Sequence, residues 1–492
     1  MRNLRRTFLL PLSAIALLAG CAAVGPDYSP PAPRALSGFG PSPVGLGAGD
    51  VEIAWWRIFD DPALTELIRR ALAANHDVGI AVARLDEAKA LLREQRQDFL
   101  PRGDVALSYE TRRRGEAEKM AAQPRHAETY RGALDAAWEI DLFGRVRRSV
   151  ELAQAQAGSR EALLRGVQAG VAAEVAATWF ELRGFEAELK VVADINQSQR
   201  ESLAQVERQM RAGVASEVDR LRAEALLLSV EATTPELERR RSAAVNVLAT
   251  LLGETPQTFR PPATERGSQL PALRTIAVGT PGALLARRAD IATAERELAA
   301  ATARIGVETA DLYPHVEARG SIGLVAGNLD AINGAGVLSG FIAPIIRWSF
   351  LDIGRVRARI AASEAQARQA LLIYDQTVLR ALRETDDAFK AYAEAADLLA
   401  LRLLEAAANR EAARLSRLRF AAGQGIYLEV LEAERADFSS RRAVELAHTR
   451  QRLAVVSIYK ALGGGWEVCA TAMSDCRGAG NSAIAKKVGG KP

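Results

Sequence analysis

The sequence predicts a mainly helical protein with a small β part, built as an internal tandem repeat. Residues 138–147 are echoed by residues 348–357, and the same 210-residue offset continues without a gap for more than 110 residues. No proline occurs in residues 125–234 or 345–491, which permits long unbroken helices. Ahead of each echoed segment, polar and apolar residues alternate with a period of two, which indicates strands.

The composition and the motifs exclude several classes of protein. Of the 492 residues, 49% are hydrophobic and 25% are charged, so the chain is neither disordered, collagen-like nor a bundle of membrane helices. The 64 basic residues are interleaved with 60 acidic ones, so nucleic acid is not an expected partner. The sequence has no phosphate-loop, nucleophile-elbow or calcium-loop motif, and its four histidines stand singly. We therefore expect no catalytic residue, no metal site and no cofactor.

The N-terminus has the layout of a secretory signal. Three arginines precede an apolar run at residues 8–18, and small residues follow. The alternative, a membrane anchor, would need about 20 apolar residues. The run ends in Leu18-Ala19-Gly20-Cys21, which resembles a bacterial lipobox and implies that Cys21 becomes the lipidated first residue of the mature chain. By the same resemblance, Ala22 implies sorting to the outer membrane.

Two further cysteines, Cys469 and Cys476, lie in a Gly-rich C-terminal tail. In an oxidising periplasm they would form a small disulfide, and the alternative is a pair of free thiols. Neither state implies catalysis.

Each repeat contains a helix, a proline, two alternating segments, a very long helix, a glycine turn and another helix. Pro101 and Pro314 are expected to stop a helix before the strands. Gly144 and Gly354 are expected to let the chain leave the last strand and enter the long helix. In the second repeat, apolar residues follow the spacing of a helical seam: Leu371, Tyr374, Val378, Leu382, Phe389, Tyr392, Ala396, Leu399 and Leu403.

The long helix of the second repeat should run from about Gly354 to Phe420. At 1.5 Å per residue it would be roughly 100 Å long. Such a helix needs neighbours, so we expect a coiled coil or a helical barrel.

The alternating segments match two kinds of sheet. Residues 105–109, 130–140, 316–324 and 337–351 have the length and pattern of outer-membrane barrel strands, and an ordinary two-stranded sheet covered by helices is the alternative. Four strands cannot close a barrel, because the smallest membrane barrels have about eight. If these strands span a membrane, several chains must contribute to the barrel. Trp138 and Trp348 would then lie in its aromatic girdle, or else pack at the transition from strand to helix.

Four features carry a resemblance to a known family: the lipobox, Trp55-Trp56 followed by Asp61-Pro62 and Leu64, the two strand pairs and the duplicated long helices. Together they resemble the TolC-like outer membrane factors and, within that family, the lipoprotein efflux branch of OprM or NodT type. The resemblance extends from Cys21 to about Trp466. It implies a trimer in which four strands per chain form a twelve-stranded outer-membrane β-barrel. A twelve-helix α-barrel would continue it through the periplasm, with an equatorial belt around it.

The resemblance also suggests the organisation of the chain. The segments are a signal peptide (1–20), a lipid-anchored N-terminal segment with part of the belt (21–62), the first repeat (63–253), a Pro-rich equatorial linker (254–281), the second repeat (282–465) and a C-terminal tail (466–492).

The function that the resemblance implies is a passive exit duct for drugs or other small toxic compounds across the outer membrane. Its partners would be two further copies of the chain, outer-membrane lipid, a periplasmic adaptor protein and an inner-membrane pump, most simply of the RND type. Two alternatives remain, a TolC-like duct for type I protein secretion and a lipid-anchored periplasmic coiled-coil scaffold. The scaffold leaves the two strand pairs unexplained.

The two turns between long helices are the predicted site. Gly213 and Gly423 are expected to cap the preceding helices, and Ser216 to cap the following one. The resemblance implies that these turns, including Gly425, contact the adaptor and form the closed end of the duct.

Glu429 and Glu432 match the family's acidic constriction by their position in the second turn. They are three residues apart on one helical face, so a trimer would hold two rings of three carboxylates that attract cations. A solvated charged face is the alternative.

Asp219 matches a position that latches neighbouring helix pairs in the family. The usual partners differ here, because Phe420 and Gly425 stand where some members have tyrosine and arginine. We therefore expect the closed state to be held differently, by packing of Tyr427 and Leu428 or by Arg220 and Arg222.

Overall fold

The computed structural model describes residues 23–32, 46–47, 54–115, 117, 124–262, 276–277, 287–334 and 336–464. The lipidation candidate Cys21 and the pair Cys469 and Cys476 lie outside these residues. The chain divides into two compact units, one drawn from Met1–Ala32, Arg84–Glu161 and Thr293–Gln376, the other from Pro33–Ala83, Ala162–Ala292 and Thr377–Pro492. Each unit takes segments from both sequence repeats.

Eight α-helices and six strands make up the described chain. The helices are α1 (Pro62–Ala74), α2 (His76–Gln97), α3 (Arg145–Arg211), α4 (Glu217–Glu231), α5 (Thr233–Leu251), α6 (Ala289–Ala310), α7 (Ile353–Ala421) and α8 (Tyr427–Ala461). The strands are β1 (Leu46–Gly47), β2 (Arg102–Arg113), β3 (His126–Ile140), β4 (Ile276–Ala277), β5 (His315–Ala326) and β6 (Leu338–Arg347). The predicted order of elements is confirmed in the second repeat, whereas in the first the helix after the glycine turn is divided into α4 and α5.

The first unit contains a four-stranded antiparallel sheet with strand order β2-β3-β5-β6. Both strand pairs therefore join one sheet, with β3 and β5 in the middle and Trp138 opposite Ala318. Val105 and Leu107 on β2 are 75% and 83% exposed, and Ile342 on β6 is 86% exposed. No helix of the described chain covers these side chains, which contradicts the alternative of a sheet buried under helices.

The strands meet the helices in equivalent ways in the two repeats. The indole N–H of Trp138 donates to the carbonyl oxygen of Phe99 at 3.0 Å, and that of Trp348 donates to Leu312 at 3.0 Å. Both rings stay about half exposed. Each tryptophan thus anchors the end of the last strand of its pair to the residues just before the first strand.

The entry into the long helices differs between the repeats. Gly144 has a φ of +82°, as expected for a glycine that turns the chain into α3. The same prediction for Gly354 is wrong, because this residue lies within α7 and its φ is not positive. A short 3₁₀ turn at Phe350–Asp352 makes the bend there instead.

Ion pairs hold the junction between β3, β5 and the helices. Arg145 Nε donates to Glu139 Oε1 at 2.7 Å. His315 lies between two carboxylates, 3.6 Å from Glu139 and 3.4 Å from Asp311. Arg359 on α7 also pairs with Asp311. This network joins side chains from both repeats.

The helices α3 and α7 are 67 and 69 residues long, which confirms the prediction of very long helices. The predicted seam of α7 is buried in its middle, at Val378, Phe389, Tyr392 and Leu399. Its predicted ends are exposed, because Leu371 is 40% and Leu403 47% accessible. No helix in the described ranges is both long enough and apolar enough to cross a membrane.

The second unit has a core around α1. Asp61 caps this helix through the backbone N–H groups of Ala63 and Leu64, and its second oxygen accepts the indole N–H of Trp179 at 2.8 Å. Trp55 stacks on Tyr459 of α8 with ring centroids 5.3 Å apart. The tryptophan pair and the Asp61-Pro62 start of α1 therefore have a structural role in the core.

Candidate functional site at the helical turns

Two short turns in the second unit join the long helices. The first links α3, which ends at Arg211, to α4, which begins at Glu217. The second links α7, which ends at Ala421, to α8, which begins at Tyr427. The 210-residue offset of the repeat relates the two turns.

Both turns end the preceding helix with a glycine in the left-handed region. Gly213 has a φ of +77° and Gly423 a φ of +72°. Their N–H groups donate to the carbonyl oxygens of Met210 and Phe420, and the next residues donate five positions back, to Gln209 and Arg419. This double hydrogen bond is the Schellman motif, and the predicted glycine caps are confirmed.

The first turn opens the next helix with a reciprocal cap. The Ser216 hydroxyl accepts the Asp219 N–H at 3.3 Å, and the Asp219 carboxylate accepts the Ser216 N–H at 3.1 Å and its hydroxyl at 2.7 Å. The predicted cap at Ser216 is confirmed. Asp219 is therefore occupied within its own turn, and the Arg222 guanidinium lies 4.0 Å from its other oxygen.

The second turn lacks such a cap and carries the predicted acidic pair. Ile426 stands at the cap position and makes no side-chain bond. Glu429 forms an ion pair with Arg419, at 3.5 Å between Nη1 and Oε2. A Cβ at Gly425 would lie 3.3 Å from the same oxygen, so the glycine leaves room for this carboxylate.

Glu429 and Glu432 differ in their surroundings. Both are exposed, but no ion pair of Glu432 is found within the described chain, whereas Glu429 is partly neutralised by Arg419. Of the two carboxylates, Glu432 therefore presents the stronger field to an approaching ion.

The residues expected to hold the closed state differ in their surroundings within one copy of the chain. Tyr427 is buried against Phe420, with ring centroids 5.4 Å apart, whereas Leu428 is 36% exposed. Arg220 is bound within its own helix by Glu217 and Glu224. Within one copy of the chain, aromatic packing by Tyr427 therefore links the two helices at the turn.

Sequence reasoning missed two acidic residues that follow the turn, Glu434 and Asp437. Both lie on the buried face of α8, with 3% and 6% of their surface exposed. Burial raises the pKa of each carboxyl group above its usual range. A signal was present, because the two residues continue the helical stripe of Tyr427, Val430 and Leu431.

The described part of the chain contains no group of three or more His, Cys, Asp or Glu side chains that could hold a metal ion.

Comparison with known proteins gives a consistent result. The outer membrane efflux protein family matches residues 67–254 and 280–464. The solvent efflux pump outer membrane protein SrpC of Pseudomonas putida is 32% identical over 468 residues, which cover 93% of this chain and 98% of that protein. Outer membrane protein OprJ of Pseudomonas aeruginosa is 31% identical over 461 residues, with 92% and 95% covered. The solved structure of the outer-membrane channel OprN superimposes with a TM-score of 0.85 at 35% identity, covering 91% of this chain and all of that one.

We predict that Gly423→Ala lowers the stability of the protein by about 1–2 kcal/mol, and Gly213→Ala likewise. An L-residue in the left-handed region carries this cost, and no atom lies within 4 Å of an added Cβ at either position, so the backbone alone is tested. The measurement is thermal unfolding of the detergent-solubilised protein. Gly170→Ala within α3, which also has open space, is the control and should stabilise by up to about 1 kcal/mol. Equal effects at Gly423 and Gly170 would contradict the assigned turn geometry.

Proposed function

Because this chain belongs to the outer membrane efflux protein family and is an outer-membrane efflux channel of TolC-like fold, we propose that three copies form one passive duct. The family, fold class, efflux function and outer-membrane location predicted from the sequence are confirmed by these similarities. The matched relatives are channels and pump components, which supports a duct without a chemical step.

The observation that carries the proposal is the open sheet. Among the described residues, strands β2 and β6 each pair on one side only, so each leaves a row of backbone N–H and C=O groups unpaired along the other side. In lipid such an edge is not tolerated, because each unpaired group costs several kcal/mol. Pairing β6 of one copy with β2 of the next would remove every edge. With four strands per chain, three copies give the twelve strands that the family resemblance implies.

The helices of the second unit offer a second surface for neighbouring copies. Several large apolar side chains are exposed on α7, and others on α4 and α5. They are Leu379, Leu401, Leu404, Leu415 and Leu418 on α7, and Val218, Leu221, Leu228 and Val247 on the other two helices. Packing α7 of one copy against α4 and α5 of the next would bury both sets.

The partners follow from the family. The relatives named as efflux pump outer membrane proteins support assembly with a pump. We propose that this is an inner-membrane pump of RND type, reached through a periplasmic adaptor that contacts the two turns. SrpC is named for solvent efflux, which supports small toxic compounds as the exported class. Asp219 as a latch and a disulfide between Cys469 and Cys476 stay predictions.

We predict that the purified protein has the mass of a trimer in detergent and conducts ions in a planar bilayer. Leu404→Asp should lower the trimer fraction, because this side chain is 70% exposed in one copy and would be buried between copies. Glu405→Asp, at an exposed neighbouring position, is the matched control. A monomer without conductance would refute the duct and favour the coiled-coil scaffold.

We predict that Glu432→Gln weakens the cation selectivity of the channel more than Glu429→Gln does. The reason is that Arg419 already offsets part of the Glu429 charge. Arg419→Gln should raise selectivity, since it releases that carboxylate. Reversal potentials in a salt gradient measure the effect, with Glu66→Gln on α1 as a charge-matched control. If Glu432→Gln leaves the selectivity unchanged, the ring of carboxylates is contradicted and the alternative, a solvated charged face, is favoured.

We also propose that Cys21 anchors the mature chain by a lipid. The prediction is that the intact mass of the membrane-extracted protein exceeds that of residues 21–492 by the mass of attached acyl groups. Cys21→Ser should abolish this excess and leave the signal uncleaved. Processing without any added mass would overturn the anchor.

A further inference from the structure

The helices α3 and α8 carry an unusual concentration of unpaired polar atoms. Six buried side-chain oxygens in the described chain have no hydrogen-bond partner within the protein, and all six belong to these two helices. Three belong to α3 and three to α8: Asn196, Gln199 and Gln209, and Tyr427, Glu434 and Asp437. Buried polar atoms are nearly always paired, so a cluster of exceptions requires an explanation.

The carboxyl groups of Glu434 and Asp437 are the costly members of this cluster. They are one helical turn apart on α8 and at least 94% buried. Glu434 accepts a long bond of 3.4 Å from the Ser202 hydroxyl on α3, and Gln199 of α3 is its other polar neighbour. The surrounding core is apolar and is built from α3, α4, α5, α7 and α8: Val192, Ile195, Val206, Ala223, Leu226, Val230, Leu237, Phe420, Tyr427, Val430 and Leu431. Ionised carboxylates in such a core would be strongly disfavoured.

The cations near the two carboxyl groups are too distant or already engaged to neutralise them fully. Arg417 Nε of α7 lies 3.8 Å from Glu434 but donates to the Ala413 carbonyl oxygen at 3.2 Å, while its Nη1 donates to Ser198 at 2.7 Å. Arg441 lies 3.9 Å from Asp437 and is closer, at 3.4 Å, to Asp194 of α3.

The remaining charged groups around the cluster act at longer range. Arg410 of α7 faces Asp437, and Asp219 of α4 and Arg435 of α8 face Tyr427. The groups that α3 itself presents to the two carboxyls, Gln199 and Ser202, are neutral.

We propose that Glu434 and Asp437 form a proton-dependent joint between α8 and α3, closed while their carboxyl groups are neutral and loosened when they ionise. A neutral carboxyl is a donor as well as an acceptor, so Glu434 can donate to the unpaired oxygen of the neighbouring Gln199. An ionised carboxylate can only accept, so it leaves that oxygen without a donor.

The direction of the pH effect follows from the burial. Burial raises the pKa of both carboxyls in the packed state, whereas opening of the joint exposes them to water and returns the pKa to its ordinary range. At pH values between the ordinary pKa and the raised pKa, the packed state therefore binds more protons than the opened state. Packing is strongest at acidic pH and weakens as pH rises through this window.

The test is amide hydrogen exchange of the full-length protein in detergent at several pH values, corrected for the intrinsic rate. In the wild type, opening of peptides covering 196–206 and 427–440 should increase by up to about tenfold per pH unit for each carboxyl that ionises on opening. Glu434→Gln and Asp437→Asn should each remove part of this pH dependence. Glu432→Gln, two residues away on the exposed face, is the matched control and should keep the wild-type dependence.

Three outcomes would overturn the joint. One is wild-type exchange that does not depend on pH after correction, and another is a pH dependence that survives in the Glu434→Gln/Asp437→Asn variant. The third is slowing of exchange by K⁺ or Ca²⁺ at constant pH, which would identify a cation site instead. The isosteric single variant Glu434→Gln keeps the test decisive if the double variant does not fold. The inference concerns packing within one chain, so it stands or falls independently of the trimeric duct.

Discussion

The unpaired outer edges of the sheet are the constraint on which the rest of the molecule depends. A chain that ends its sheet at β2 and β6 cannot place those strands in lipid unless another chain completes the hydrogen bonding. The apolar side chains of β2 and β6 support the same conclusion, because they are exposed in one copy and suit a hydrocarbon surface. In the proposed duct, assembly is therefore part of folding, and stability cannot be assigned to one chain alone.

Duplication supplies this architecture economically. Each repeat contributes one strand pair to the sheet and one long helix that ends in a glycine cap. The two indoles that fix the ends of the strands make the same bond to a backbone carbonyl. The two helical turns also differ between the repeats: Ser216 and Asp219 form a reciprocal cap in the first, whereas Ile426 leaves the second uncapped and Glu429 pairs back to Arg419.

Sequence reasoning succeeded where local rules dominate. Strand alternation, the absence of proline and the capping residues are set by a few neighbouring positions, and the structure agrees with them. The prediction for Gly354 is wrong because its equivalence with Gly144 suggested a bend at the glycine, whereas the 3₁₀ turn at Phe350–Asp352 makes the bend just before it. Glu434 and Asp437 were missed because burial of an acidic side chain depends on what packs against it, and α3 lies more than 200 residues away in sequence. The ends of the α7 seam, Leu371 and Leu403, are exposed for the same reason, because burial depends on which elements pack against each part of a helix.

The start of α8 therefore carries two kinds of carboxyl group on opposite faces. Successive residues of a helix are separated by about 100°, so Glu432 and Glu434 point to different sides although only one residue separates them. Glu432 is exposed, and its carboxylate adds to the field that an ion meets. Glu434 is buried, and its neutral form fits the packing against α3. Any movement that separates α8 from α3 would hydrate Glu434 and Asp437, let them ionise and add negative charge beside the acidic pair. Helix packing and the electrostatic field at this turn are consequently coupled through the protonation of Glu434 and Asp437.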